Sequence, residues 1–187
     1  MRILSVNYTM SGSQAANRFI QISGIQRAIL TAGSGLISIF DPKRDDMISA
    51  FGELTGQPTL PIIHKKMLAD PEGFDLLRDK PTVNSRTLDL NKLANLKENS
   101  FGREYVEFLK RNNITPDSRK PVLFIEDPEL AFVMKRYREI HDFTHCILGM
   151  KTNMLGEVTV KIFEAIQLGL PMVSFNCSWF LKQGLLA

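Results

Sequence analysis

The stretch from Asp127 to Pro171 holds a start and a stop for each of two helices, with almost nothing between them. Asp127-Pro128-Glu129 sets an N-cap acid, a proline at the first helical position and a second acid where the helix dipole favours negative charge. The pattern runs without a breaker to Gly149, a residue suited to the left-handed turn that follows a helix. Asn153 then caps a second segment from about Met154 to Leu168, with Gly169 and Pro171 as stop signals. A connection as short as Met150–Asn153 folds the two helices back antiparallel, with axes ~8–10 Å apart. At about 100° per residue, Leu130, Met134, Tyr137, His141, His145 and Leu148 share one narrow sector of the first helix. Both histidines therefore sit on the stripe that faces the core.

The rest of the chain is read as helical too. Residues 18–30, with Phe19, Ile22, Ile25, Ile29 and Leu30, fit an amphipathic helix interrupted by Gly24. It packs on the core or lies on a membrane surface. Further helices are expected over Asp45–Leu54, over Leu60–Ala69, after the Asp70-Pro71 cap and over Arg103–Arg111. Val122–Ile125 is too short to decide between strand and turn. Nothing alternates strand with helix, so the fold class is mainly α, with the antiparallel pair over about 128–148 and 154–168 at its centre. The organisation reads as a leader over 1–17, a helical body over 18–172 and a divergent tail over 173–187.

Charge and composition narrow the function classes. Only three of the 23 basic residues, and none of the 20 acidic ones, lie in residues 1–40. The net charge of +3 therefore belongs to the first 40 residues, and the chain from Asp41 onward is neutral. No basic cluster suited to nucleic acid is visible on that body. A leader that bears arginine and serine but no acid has the composition of an organelle transit peptide, or of an ordinary variable terminus. Two cysteines, Cys146 and Cys177, are too few for a disulfide framework. The uncharged run Ala28–Phe40 is short for a bilayer helix.

The chemistry concentrates in the helix pair. The chain has three histidines, and His141 and His145 lie one turn apart on one face. His145 stands four residues before the end of its helix and Glu157 four residues after the next cap, each ~6 Å from the turn at 1.5 Å per residue. In an antiparallel hairpin they meet at the same height. With Asp142 beside the first histidine, the set offers two nitrogens and two carboxylates. Such donors suit Zn²⁺, with Fe²⁺ or Mn²⁺ as alternatives. The bland readings are two satisfied core histidines, Glu157 paired with Lys161, and Asp142 paired with Arg138. A metalloprotease would have Glu directly after the first histidine, and Asp142 is one methylene shorter, so peptidase chemistry is not expected. Cys146 points away from His145 and reads as a small buried side chain, while His64 reads as a surface residue. There is no glycine-rich phosphate loop, no nucleophile elbow and no Cys-x-x-Cys.

His141-Asp142-Phe143-Thr144-His145 followed after eleven residues by Glu157 resembles the metal motif of the fourth coenzyme Q (ubiquinone) biosynthesis protein family. Thr87-Leu88-Asp89-Leu90, Phe101-Gly102-Arg103-Glu104-Tyr105-Val106, Asp127-Pro128-Glu129-Leu130-Ala131, Tyr137-Arg138-Glu139, Asn153-Met154-Leu155-Gly156-Glu157 and Gly169-Leu170-Pro171-Met172 extend the likeness over roughly residues 18–172. The resemblance implies a helical protein peripheral to the matrix side of the mitochondrial inner membrane. It implies C1 decarboxylation of 4-hydroxy-3-methoxy-5-polyprenylbenzoate to 2-methoxy-6-polyprenylphenol, and a role in organising the other enzymes of the ubiquinone-synthesis complex. It also implies His141, Asp142, His145 and Glu157 as the metal ligands. Tyr137, one turn before His141, would line the cavity for the polyprenylated benzoate lipid, or simply pack in the core. A homo-oligomer is expected, and no nucleic-acid partner.

After Pro171-Met172 the sequence departs from the family pattern, so it reads as a shortened form. Three functions compete. A lyase releases CO₂ in a metal-dependent step, a non-catalytic scaffold only binds lipid and partners, and a His-Asp phosphohydrolase would need further ligands that a single remaining histidine, His64, cannot supply.

Overall fold

The computed structural model describes residues 19–41 and 44–170. The leader over 1–17 and the tail over 173–187 fall outside the described residues. Among the latter the regular structure is helical throughout: α1 (Gly24–Phe40), α2 (Asp45–Gly56), α3 (Leu60–Ala69), α4 (Pro71–Asp79), α5 (Leu90–Ala94), α6 (Phe101–Asn112), α7 (Pro128–Leu148) and α8 (Met154–Leu168), with one 3₁₀ turn at Pro116–Ser118.

The start of α1 corrects the sequence reading. Gly24 does not interrupt a helix over 18–30; it is the first residue of one that continues to Phe40. The reason is a capping box: the Ser23 hydroxyl accepts from the Gln26 amide while the Gln26 side chain accepts from the Ser23 amide. Elsewhere the caps act where the sequence puts them. Asp70 accepts from the Gly73 amide at 2.9 Å and opens α4. Asp127 accepts from the amides of Glu129 and Leu130 and opens α7. Asn153 accepts from the Gly156 amide at 2.9 Å and opens α8. Gly149 sits at φ 63, the left-handed region, and ends α7.

The hub is α7, which packs on α3, α6 and α8. Its buried face is wider than the stripe read from sequence: Ala131, Phe132, Val133, Met134 and Tyr137 all join a core with Leu60, Leu77, Val122, Ile125, Val158 and Leu170. Each such side chain, removed from water, contributes roughly 1.5–3 kcal/mol before conformational entropy is counted. A second cluster of Tyr105, Phe108 and Leu109 seats α6 against Phe143 and Cys146 of α7.

Val122–Ile125 is neither strand nor regular turn. Its backbone is pinned by a side chain instead: Glu53, 1% exposed, accepts from the amides of Leu123 at 2.8 Å and Phe124 at 2.6 Å. The other Glu53 oxygen accepts from Arg138 Nη2 at 2.7 Å. Buried amides thereby find partners without a ladder.

Candidate metal centre

His141 and His145 leave α7 one turn apart and Glu157 leaves the first turn of α8 to meet them. The Glu157 carboxylate takes one histidine on each oxygen: Oε2 lies 3.3 Å from His141 Nε2, and Oε1 lies 3.2 Å from His145 Nε2. The two imidazoles stand at 89° to one another with ring centres 4.9 Å apart. One donor atom from each of the three residues falls within 4.8 Å of the others. Glu157 reaches this place because the connection doubles back tightly. A Cβ on Gly156 would come 1.8 Å from the Lys151 carbonyl oxygen, so only glycine fits next to the ligand.

The far ring nitrogens show what the near ones must do. His141 Nδ1 lies 2.7 Å from Glu164 Oε1, and His145 Nδ1 lies 3.2 Å from the Met150 carbonyl oxygen. Both partners only accept, and the shorter contact at His141 is the carboxylate, so hydrogen on each Nδ1 satisfies them, while the Lys161 ammonium, a donor, lies 3.3 Å from His141 Nδ1. His145 Nε2 is then left buried without a hydrogen-bond partner, its lone pair facing a carboxylate oxygen. Such an arrangement of acceptors calls for positive charge at its centre. A divalent cation meets that requirement, and two nitrogens with a carboxylate suit the borderline metals. Without one, the charge resides in part on His141: burial and the Lys161 ammonium depress its imidazolium, but Glu157 and Glu164 outweigh them and hold it above its ordinary value. Burial raises the Glu157 carboxyl, yet the two imidazoles drive it well below the usual carboxylate range.

Behind the triad lies a polar network that continues along α8. The Tyr137 hydroxyl donates to Glu164 Oε2 at 2.9 Å and accepts from Lys161 Nζ at 3.0 Å. Lys161 also donates to Glu164 Oε2 at 3.1 Å. Burial pushes the Tyr137 phenol up to about 12. The hydrogen bond to His141 and the Lys161 charge overcome burial at Glu164 and bring its carboxyl down to about 2. Lys161 stays charged, because Tyr137 and Glu164 more than offset its desolvation.

Asp142 is placed apart from the three. Its carboxylate receives Arg119 Nη2 at 2.5 Å, and the same guanidinium donates to the Tyr105 hydroxyl at 3.2 Å. Arg138 does not pair with Asp142 but with Glu53, and Lys161 does not pair with Glu157 but with Glu164. Cys146 is partly buried, its thiol pushed up to about 11 chiefly by that burial. His64 stands 4.0 Å from Glu129 and takes no part in the group.

These residues border a cavity of about 230 Å³ between α2, α7 and α8. His141, Asp142, Glu157, Lys161, Arg119 and Arg138 line it, together with Ile48, Met134 and Tyr137. The space suits one substituted ring, since a cavity of ~150 Å³ already holds benzene.

A sequence profile of the coenzyme Q (ubiquinone) biosynthesis protein Coq4 matches residues 17–182. The chain belongs to this family. Among curated relatives, a ubiquinone biosynthesis protein COQ4 homolog, mitochondrial, of Bombyx mori is 55% identical over 163 residues, covering 87% of this chain and 63% of its own. The Homo sapiens COQ4 homolog, mitochondrial, is 49% identical over 150 residues, covering 80% of this chain and 57% of its own. This Coq4-family chain thus spans about three-fifths of those relatives' length. A crystal structure from Nostoc punctiforme, of a protein described as a candidate ubiquinone biosynthesis protein, shares the helical fold. It has a TM-score of 0.60 at 18% identity, over 82% of this chain and 71% of that one.

Sequence reasoning about this Coq4-family chain missed Glu164, and the bland alternative of a Glu157–Lys161 pair is not the pair that forms. A signal was there: Glu157, Lys161 and Glu164 recur at i, i+4 and i+7, one face of α8. Arg119 carried no such signal, because it approaches from the loop after the 3₁₀ turn. Only the path of that loop brings it to Asp142.

Proposed function

We propose that the chain acts in mitochondrial ubiquinone biosynthesis, as a metal-dependent lyase that removes the C1 carboxylate of 4-hydroxy-3-methoxy-5-polyprenylbenzoate. The observation that supports this most is the buried, unpartnered His145 Nε2 facing Glu157 beside a ring-sized cavity. His141, His145 and Glu157 would hold the ion, Zn²⁺ or alternatively Fe²⁺ or Mn²⁺; Asp142, the fourth ligand that the resemblance implies, is engaged by Arg119 and would join them only on leaving that guanidinium. When bound, the ion supplies Lewis acidity toward the phenol oxygen of the ring.

The chain's own residues account for binding. Arg119, Arg138 and Lys161 on the cavity border are balanced by Asp142, Glu53 and Glu164 and would offer N–H donors to the oxygens of the ring. Ile48, Met134 and Tyr137 exclude water from its faces. In the reaction the bond between C1 and the carboxylate carbon breaks, CO₂ leaves, and its electron pair stays on the ring. A proton from water takes the vacated position, so 2-methoxy-6-polyprenylphenol forms with no oxidant. The prenyl tail is far larger than the cavity and would run outside it.

A second reading, a lipid-binding scaffold of the ubiquinone-synthesis enzymes, is favoured by α1. Ile25, Ile29, Leu36 and Phe40 are exposed on it, Ile25 to 77%. No helix among the described residues is long and apolar enough to cross a membrane. Peripheral contact with the matrix side of the inner membrane and homo-oligomer formation belong to the same proposal. The test is release of labelled CO₂ from carboxyl-labelled prenylated hydroxybenzoate by the full chain with Zn²⁺, Fe²⁺ or Mn²⁺. We expect turnover in wild type and a loss of at least about 100-fold in His141→Ala and Glu157→Ala. Metal-loaded, helical wild-type protein without CO₂ release would leave the scaffold reading.

A further inference from the structure

Glu164 is 2% exposed, two turns beyond Glu157 on α8, and both its oxygens are occupied. Oε1 receives His141 Nδ1 at 2.7 Å, while Oε2 receives the Tyr137 hydroxyl at 2.9 Å and Lys161 Nζ at 3.1 Å. The two histidines of the triad are therefore held differently. His145 leans on a neutral carbonyl at 3.2 Å and on Phe108, whose ring stacks 5.6 Å from its own. His141, 19% exposed at its side chain, has no such wall and is oriented by a charged group. A carboxylate on the far nitrogen of a ligating imidazole fixes the ring plane and the tautomer, and makes the near nitrogen a stronger donor.

We propose that Glu164 is a positioning residue of the metal centre: its carboxylate holds His141 with Nδ1 protonated and Nε2 directed at the ion, and the Tyr137 hydroxyl and Lys161 ammonium clamp that carboxylate in place. The inference rests on reading His141, His145 and Glu157 as metal ligands. The alternative role for Glu164 is to neutralise Lys161 inside the protein and nothing more. The two roles differ in what happens when both charges are removed together. Replacing a buried ion pair with apolar groups of similar volume is often neutral for the fold, so a purely charge-balancing Glu164 could be lost with Lys161 at no cost to the metal.

The experiment measures Zn²⁺ affinity of the full chain by competition with a chromogenic chelator, with helical content followed by circular dichroism. Wild type is compared with Glu164→Gln and with the double variant Glu164→Leu/Lys161→Met. The double variant should bind Zn²⁺ about 10–100-fold more weakly, the range for lost outer-sphere partners. Glu164→Gln, whose amide oxygen accepts from Nδ1 but carries no charge, should bind Zn²⁺ at least about threefold more weakly than wild type and more tightly than the double variant. In ¹⁵N spectra of Zn²⁺-loaded protein, the His141 Nδ1 proton should be retained in wild type and lost to solvent exchange in the double variant. A helical double variant with affinity within twofold of wild type overturns the inference while leaving the metal reading intact. Should that variant not fold, an affinity of Glu164→Gln within twofold of wild type overturns it equally. Wild-type protein that binds none of Zn²⁺, Fe²⁺ or Mn²⁺ overturns the metal reading itself, and this inference with it.

Discussion

At the scale of single residues, buried charge in this chain fixes geometry more than it adds stability. Glu53 shows the principle in a setting free of the metal site. Its carboxylate satisfies two backbone amides and one guanidinium, so a segment with no secondary structure has a defined path. Glu53→Ala should destabilise the fold by about 3–5 kcal/mol, because it leaves Arg138 uncompensated and two amides unpaired. Urea unfolding checks this; a loss below about 1 kcal/mol would mean the segment 122–125 holds itself. His145 Nε2 is the opposite case, a buried nitrogen with a carboxylate oxygen at 3.2 Å and no hydrogen bond. Ser100 Oγ, Arg119 Nε, Arg136 Nε and Glu139 Oε2 are buried in the same state, but of these five atoms only His145 Nε2 belongs to the group of His141, His145 and Glu157.

Between elements, the geometry of the site is set by the connection of α7 to α8. Gly149 turns the chain at φ 63, Asn153 restarts a helix, and Gly156 allows the backbone of Lys151 to pass against the first turn. Glu157 follows directly, so its height beside His145 depends on that passage. Gly156→Ala places a methyl into the Lys151 carbonyl and must push α8 outward. A cost of about 1–3 kcal/mol is expected, as for other overpacked sites. The same variant should lose Zn²⁺ binding well beyond that stability loss, since donors have to be placed to within ~0.5 Å. Isothermal calorimetry on Gly156→Ala at a temperature where it remains folded decides the matter, and unaltered Zn²⁺ affinity would detach ligand placement from the turn.

For the whole molecule, the ion would join the two helices of the hub. A ligand that binds only the folded chain stabilises it by about 2.7 kcal/mol at a free concentration one hundred times its Kd. Zn²⁺ should therefore raise the Tm of wild type in a concentration-dependent way and leave that of His141→Ala or Glu157→Ala unchanged. An equal rise in all three proteins would place the ion elsewhere. The side chains of the site are carried by a hub in which α7 packs on α3, α6 and α8, and the second cluster joins it to α6 through Tyr105 and Phe108.

What the sequence by itself determined is local. Cap residues, prolines and glycines act within one turn of themselves, so Asp127, Gly149, Asn153 and Gly169 delimit α7 and α8 without reference to the rest of the chain. Spacing along a helix is local too, which is why His141, His145 and Glu157 were legible as neighbours. The capping box at Ser23 and Gln26 was equally legible, though the glycine beside it concealed the start of α1. What only the tertiary structure decided is which of several available partners each charge takes. Arg138 had Asp142 one turn away and took Glu53 from α2; Asp142 took Arg119 from a distant loop; Lys161 took Glu164 and the Tyr137 hydroxyl instead of Glu157. Each of those choices depends on desolvation and on the path of segments far apart in the chain. Helical spacing offers the candidates, and burial selects among them.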